Sequence, residues 1–244
     1  MKLLLTMLLI GVASAMAQNP EGKEVIRRID QNMSFENRVF MSKMIIHGRR
    51  NSRTVESKTW TSGEKRSYTE YLFPARDQGT KMLKLEDQLW IYSPSTDRII
   101  QIAGHMLRQS VMGSDLSYDD LMEDNKITNH YNATVIGIEK VNERSCWIVK
   151  LTAFDPAVAY QVKKLWVDCE RYIPIREELY AKSGTLLKRT ELSDVVNING
   201  RWFPKKVLFK DMLKEGDGTE FVISTIQFNV AIPDYIFSKA NLKK

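Results

Sequence analysis

The sequence predicts a mainly β chain with helices, an α+β class whose sheet is antiparallel. Three observations carry this. Short runs of alternating apolar and polar residues follow one another along most of the chain. Several joints between them are Ser183-Gly184, Asn199-Gly200 and Asp217-Gly218, dipeptides suited to tight hairpins. Helical periodicity is confined to a segment near the N-terminus and a short one after residue 104.

Taken in order, the chain opens with Lys2 and the apolar run Leu3 to Val12, followed by the small residues of Ala13-Ser14-Ala15-Met16-Ala17. A charged start, a short apolar core and small residues at the end predict a cleavable secretory signal peptide over 1–17, cut after Ala17. The expectation is a mature single domain, 18–244, free in the periplasm of a two-membrane bacterium. No cysteine follows the apolar run to carry a lipid anchor, and no later segment approaches the roughly 18 consecutive apolar residues of a membrane span.

Asn19 as cap, Pro20 at the first helical position, Glu21 and Glu24 in the first turn, and Val25, Ile26, Ile29 and Met33 on one face predict an amphipathic helix of about 14 residues. Strands follow over 39–49, 54–62, 65–73, 80–85, 88–92 and 98–102, and again over 134–141, 145–154, 161–169, 173–181, 185–195, 202–213 and 219–230. Between the two sets, from Gly104 to Asn125, the period-2 pattern stops. That stretch is rich in methionine, and Ser117 with Asp120 forms a capping pattern for a short helix. It reads either as a lid over one sheet face or as a plain crossover whose methionines fill core gaps.

The charges, formally +6, are mixed in sign along every segment. With the export signal, and without aromatics set among clustered Lys and Arg, this disfavours nucleic acid as a partner. A transmembrane β-barrel is disfavoured because the strands lack a continuous lipid-facing apolar band. Cys146 and Cys169 are the only cysteines. If the connection 155–160 is symmetric, residues whose numbers sum to 315 face each other, which predicts a cross-strand Cys146–Cys169 disulfide; a one-residue slip would instead leave two free thiols.

Catalytic signatures are lacking: there is no G-x-S-x-G elbow, phosphate-binding P-loop, H-E-x-x-H or C-x-x-C, so no catalytic residue, metal ligand or cofactor is assigned. The acidic group Asp115, Asp119, Asp120, Glu123 and Asp124 lies near His105 in sequence, and helix-start carboxylates account for it more simply than a cation site does.

Successive motifs resemble the LolA-like outer-membrane lipoprotein-sorting protein family. They are Phe73-Pro74 with Gly79-Thr80 and Leu83; Trp90, Tyr92, Pro94 and Arg98; the block Met112-Gly113-Ser114-Asp115-Leu116-Ser117-Tyr118-Asp119-Asp120-Leu121; Trp166-Val167-Asp168 through Lys188; and Ile232-Pro233-Asp234 with Phe237 and Leu242. Leu116 and Asp119 depart from the family's usual Phe and Glu. The resemblance implies an incomplete antiparallel β-barrel, LolA/LolB-like, curled around an apolar cavity with a helical lid. It implies a periplasmic carrier or chaperone that holds acyl chains of a lipid or lipoprotein for delivery to the outer membrane. An inner-membrane transporter and an outer-membrane acceptor would be its partners, and the carrier itself would be a monomer. Candidate acyl-chain contacts are Trp60, Trp90, Tyr92, Met106, Val111, Met112, Tyr118, Leu121, Trp147 and Trp166. Ordinary core packing is the alternative for each tryptophan. The alternative function is a lipid-hydrolysing, phospholipase- or esterase-like envelope enzyme, metal-assisted or not, that uses the same cavity with His105 and the acidic group.

The leader pattern makes a direct prediction. N-terminal sequencing of the protein from its native host is expected to read from Gln18, in the soluble periplasmic fraction; an intact Met1 in a membrane pellet contradicts it.

Overall fold

The computed structural model describes residues 19–123 and 126–244. The predicted signal peptide, the start of the mature chain at Gln18, and Asp124 lie outside the described residues. Helix α1 covers Gly22–Met33. Thirteen strands follow among the described residues: β1 (Asn37–His47), β2 (Ser52–Ser62), β3 (Arg66–Phe73), β4 (Lys81–Leu85), β5 (Gln88–Ser93), β6 (Arg98–Ile102), β7 (Tyr131–Val141), β8 (Arg144–Ala153), β9 (Val162–Asp168), β10 (Pro174–Tyr180), β11 (Leu186–Ile198), β12 (Arg201–Asp211) and β13 (Gly218–Phe228). Each lies within a few residues of its predicted span. Between β6 and β7 runs a series of single turns that includes the short helix α2 (Tyr118–Met122).

All thirteen strands form one open sheet in the order β6-β5-β4-β3-β2-β1-β13-β12-β11-β10-β9-β8-β7. Every neighbouring pair is antiparallel. This is the incomplete barrel that the resemblance implies. The first six strands march outward from β1 to one edge, and the last seven march back from the other edge until β13 pairs with β1. The chain between Ile102 and Tyr131 therefore has to travel from edge to edge, which is why strand alternation stops there. Asn199-Gly200 makes the tight turn its dipeptide demands: Asn199 (φ 52°) and Gly200 (φ 82°) are both left-handed in the β11–β12 hairpin, as a type I′ turn requires. Asp217-Gly218 does not, because β12 ends at Asp211 and Gly218 is already the first residue of β13.

Helix α1 begins later than expected. Pro20 precedes it, and the residue at its start, Glu21, makes no side-chain cap. The helix begins at Gly22 because its backbone is pressed against β7: a Cβ there would sit 2.3 Å from the Ala133 carbonyl oxygen. The predicted face is the buried one. Val25, Ile26 and Ile29 pack with Val149, Leu151, Leu165 and Val167 of β8 and β9, with Met33 alongside. Burying three such side chains contributes on the order of 5 kcal/mol. Asp30 adds a polar tie, accepting from the Ile127 N–H (2.9 Å), the Thr128 N–H (3.1 Å) and the Thr128 hydroxyl (2.6 Å).

The predicted disulfide is corrected. Cys146 faces Asp168, and Trp147 faces Val167, so facing numbers sum to 314 rather than 315. The Ala153 N–H donates to the Gln161 carbonyl (2.9 Å), which leaves an odd number of residues, 154–160, between the facing positions; the connection is shaped by Asp155, which accepts from the Ala157 N–H (2.8 Å) and pairs with His130 (2.8 Å). That slip takes Cys169 off the position opposite Cys146, and both thiols are free. The register that sums to 315 would set Ile148 on one face with Leu165 and Val167, and Trp147, Val149 and Leu151 on the other with Trp166; the slip reverses this. Trp147, Val149 and Leu151 share a face with Leu165 and Val167, whereas Ile148 is paired with Trp166. Burial pushes the Cys146 thiol up to about 11, so little nucleophilic thiolate is present at neutral pH. A maleimide is expected to label the native protein slowly and to add to both cysteines once the chain is unfolded without reductant; an unfolded chain that takes no label contradicts the observed register.

Candidate functional site

Alternation along the strands decides what faces the inside of the curl. On β2, Val55, Ser57, Thr59 and Thr61 point inward; on β3, Ser67, Thr69 and Tyr71 do; on β4, Met82 and Lys84. Together with Phe221 of β13 and the segment between β6 and β7 they enclose a lobe of about 270 Å³. A second lobe of about 390 Å³ lies toward β9–β12, lined by Ile29 and Met33 of α1, Leu151, Leu165, Leu179, Leu192 and Val207. Leu116, Asp120, Leu121 and Phe221 border both, so the lobes are two halves of one trough. Each is of the size that takes a small apolar ligand.

The cover of this trough is the edge-to-edge crossover. Its apolar residues go down into the sheet: Val111 and Leu116 pack with Met44, Val55 and Tyr71, while Met106, Tyr118 and Leu121 pack over Met82, Leu89 and Ile102. Its backbone is held by charged groups that step across the sheet. Arg53 of β2 donates to the Met112 carbonyl, and Met112 stands in left-handed backbone (φ 50°). Lys84 of β4 donates to the Leu121 and Met122 carbonyls (3.1 and 3.2 Å). Buried Asp115 accepts from the Thr219 hydroxyl (2.7 Å) and the Asp211 N–H (2.9 Å). Ser117 and Asp120 form the predicted capping box; Asp120 also pairs with Lys188 of β11 and accepts from the Tyr160 hydroxyl (2.5 Å). Glu123 pairs with Lys163 of β9 (2.5 Å). Asp115, Asp120 and Glu123 of the acidic group are thus separate latches. Among the described residues no three His, Cys, Asp or Glu side chains gather as a cation site, and His105 is exposed.

Five of the ten predicted contacts belong to this cover. Val111 and Leu121 line the cavity, and Met106, Met112 and Tyr118 pack around it. Four of the other five do not face it. Trp60 and Trp90 lie on the opposite face with Tyr68 and Leu83, and Tyr92 packs there too. All three sit beneath the C-terminal segment that brings in Phe237 and Leu242. Trp166 is also on the outer face, its indole N–H donating to Glu139 (2.8 Å). The fifth, Trp147, is on the inner face, tilted against Tyr172 (ring centroids 5.1 Å apart, planes 52° apart) at the end closed by α1. The difference is one of parity: a tryptophan marks a buried strand and not which face is hollow.

Residues that the sequence reading passed over line the lobes instead. One is the run of hydroxyls at Ser57, Thr59 and Thr61, whose spacing of two was its only signal. Two hydroxyl pairs bridge neighbouring strands, Ser42 with Ser57 and Thr59 with Thr69, each at 3.0 Å. Another is Glu177, which faces the second lobe. Burial pushes its carboxyl up, against the pull of Lys163 and a 2.9 Å hydrogen bond from Thr190.

The Asp120 latch gives the cover a pH dependence. Burial alone would raise this carboxyl; the Lys188 charge and the hydrogen bonds from Lys188, Tyr160 and Ser117 outweigh it and hold the group below its ordinary value. A depressed carboxylate contributes stability that is present above its unfolded value, about 4, and is lost as the pH falls through the lower folded one. Amide protection factors over 118–122 are expected to fall below about pH 4 in the native protein, and Asp120→Asn is expected to remove that acid step; an unchanged step in the variant contradicts the assignment.

Comparison with known proteins places this architecture. No curated protein matches the chain. Among solved structures, a domain from Vibrio parahaemolyticus named for outer-membrane lipoprotein sorting is 21% identical, with a TM-score of 0.80 over 91% of this chain and 98% of its own. A DUF1329 family protein from Desulfovibrio piger is 23% identical, with a TM-score of 0.81 over 91% and 97%. A LolA superfamily protein from Nitrosomonas europaea is 23% identical, with a TM-score of 0.73 over 91% and 100%. These likenesses give the fold, which is LolA-like. Residues 63–244 match a family model described as "Uncharacterized protein". The chain, matched over most of its length, belongs to that family.

Proposed function

We propose that the protein is a periplasmic carrier that holds the acyl chain of a lipid or lipoprotein in the trough on the way to the outer membrane. The observation that carries this is the trough itself: two adjoining, largely apolar lobes on the inner face of an open sheet, roofed by one segment. Binding there is burial. A 16-carbon chain leaving water gains on the order of 10 kcal/mol at about 0.8 kcal/mol per methylene, before the costs of ordering. An inner-membrane transporter and an outer-membrane acceptor belong to the same reading, as does export by the leader. Hydrolysis finds less support, because Asp115 is occupied by Thr219 and Asp211 while His105 is exposed.

Mass spectrometry of extracts from the protein purified from its native periplasm is expected to find acyl lipid. Leu121→Asp, which sets a charge where the two lobes meet, is expected to weaken palmitate binding at least tenfold. Affinity unchanged in that variant contradicts the reading.

A further inference from the structure

We infer that Arg38, at the hairpin end of the first lobe, is a headgroup subsite that receives the anionic head, carboxylate or phosphate, of a single-chain amphiphile whose tail lies along the lobe. This rests on the acyl-carrier reading above and adds to it a polarity and a ligand class.

The wall formed by β1 and β2 is graded. Its inward-facing pairs run Met44 with Val55, Ser42 with Ser57, Phe40 with Thr59, and Arg38 with Thr61. The pairs stand about 7 Å apart along the strands, so one wall passes from hydrocarbon through hydroxyls to a guanidinium over roughly 20 Å. The charged end is also where Gly63 and Glu64 of the β2–β3 hairpin line the lobe.

Arg38 differs from the other cations around the trough. Lys163 and Lys188 are paired with Glu123 and Asp120. Arg66 is paired with Asp234 (3.0 Å), and Arg53 is spent on the Met112 carbonyl and on Asp77 (3.5 Å). Arg38 forms no ion pair among the described residues, and its guanidinium makes one hydrogen bond there, from Nε to the Thr61 hydroxyl (3.2 Å). Both terminal nitrogens are left for an acceptor, in the planar fork that suits a carboxylate or phosphate. Burial disfavours its charge and the field of Glu64 offsets only part of that, so an arriving anion would be matched to a partly desolvated cation.

The test is equilibrium binding of dodecanoate, dodecyl phosphate, dodecanol and inorganic phosphate to the whole protein. Arg38→Gln is expected to weaken both anionic amphiphiles at least tenfold and to leave dodecanol within twofold, with Arg38→Lys recovering part of the loss. Glu64→Gln, which removes the competing carboxylate, is expected to tighten the anions and not the alcohol. Equal losses for dodecanol and dodecanoate in Arg38→Gln, or anion affinities unmoved in both variants, overturn the subsite while leaving the carrier reading in place. Inorganic phosphate bound as tightly as dodecyl phosphate, and equally sensitive to Arg38→Gln, overturns it in favour of a free-anion site. A wild-type protein that binds none of the four ligands overturns the carrier reading and the subsite together.

Discussion

An antiparallel sheet that carries apolar residues on both faces has to be covered on both, and the rest of this molecule follows from that constraint. The outer face is covered where it is most apolar. The C-terminal segment lays Ile232, Ile236, Phe237 and Leu242 across Trp60, Tyr68, Leu83 and Trp90. The inner face is covered at one end by α1, whose Val25, Ile26 and Ile29 close over β8 and β9, and across its middle by the crossover between β6 and β7. What these covers leave between them is the trough.

Topology makes the crossover unavoidable. With β6 and β7 at opposite edges of one thirteen-stranded sheet, the connection must span it, and only the inner or the outer face offers a route. The crossover takes the inner one and is held by polar ties to β2, β4, β9, β11 and the β12–β13 end. The Asp120–Lys188 and Glu123–Lys163 ties are largely buried ion pairs, so each is costly to break singly and adds little if both members are replaced by apolar groups. That arrangement suits a cover that must be fixed in place yet rests on a hollow. The segment is at once the crossover and the cover of the trough.

Much of the fold was legible because the chain repeats one local signal. Alternation and hairpin dipeptides found all thirteen strands, and the capping pair Ser117 and Asp120 marked α2 correctly. What failed were quantities that a period of two leaves undetermined. The register of β8 against β9 turned on a single residue in the connection, and with it went the disulfide between Cys146 and Cys169. Which face is hollow is likewise invisible in one strand, since Trp60 and Thr59 are neighbours in sequence and lie on opposite sides of the sheet. Choosing site residues by size and aromaticity therefore found four side chains of the outer face, while the small hydroxyls that wall the cavity went unnoticed. The crossover residues fared better because the break in pattern and the family block coincided there.

The account stands on the inner face being the ligand face. Irradiating the protein with a bound fatty acid that carries a diazirine along its chain, then mapping the labelled peptides, measures this most directly. Adducts are predicted on β1–β3 at inward positions such as Phe40, Val55 and Tyr71, on Phe221, and on the cover at Val111 and Leu121. Labelling concentrated instead on Trp60, Trp90 and the C-terminal segment would put the acyl chain on the outer face and contradict the account.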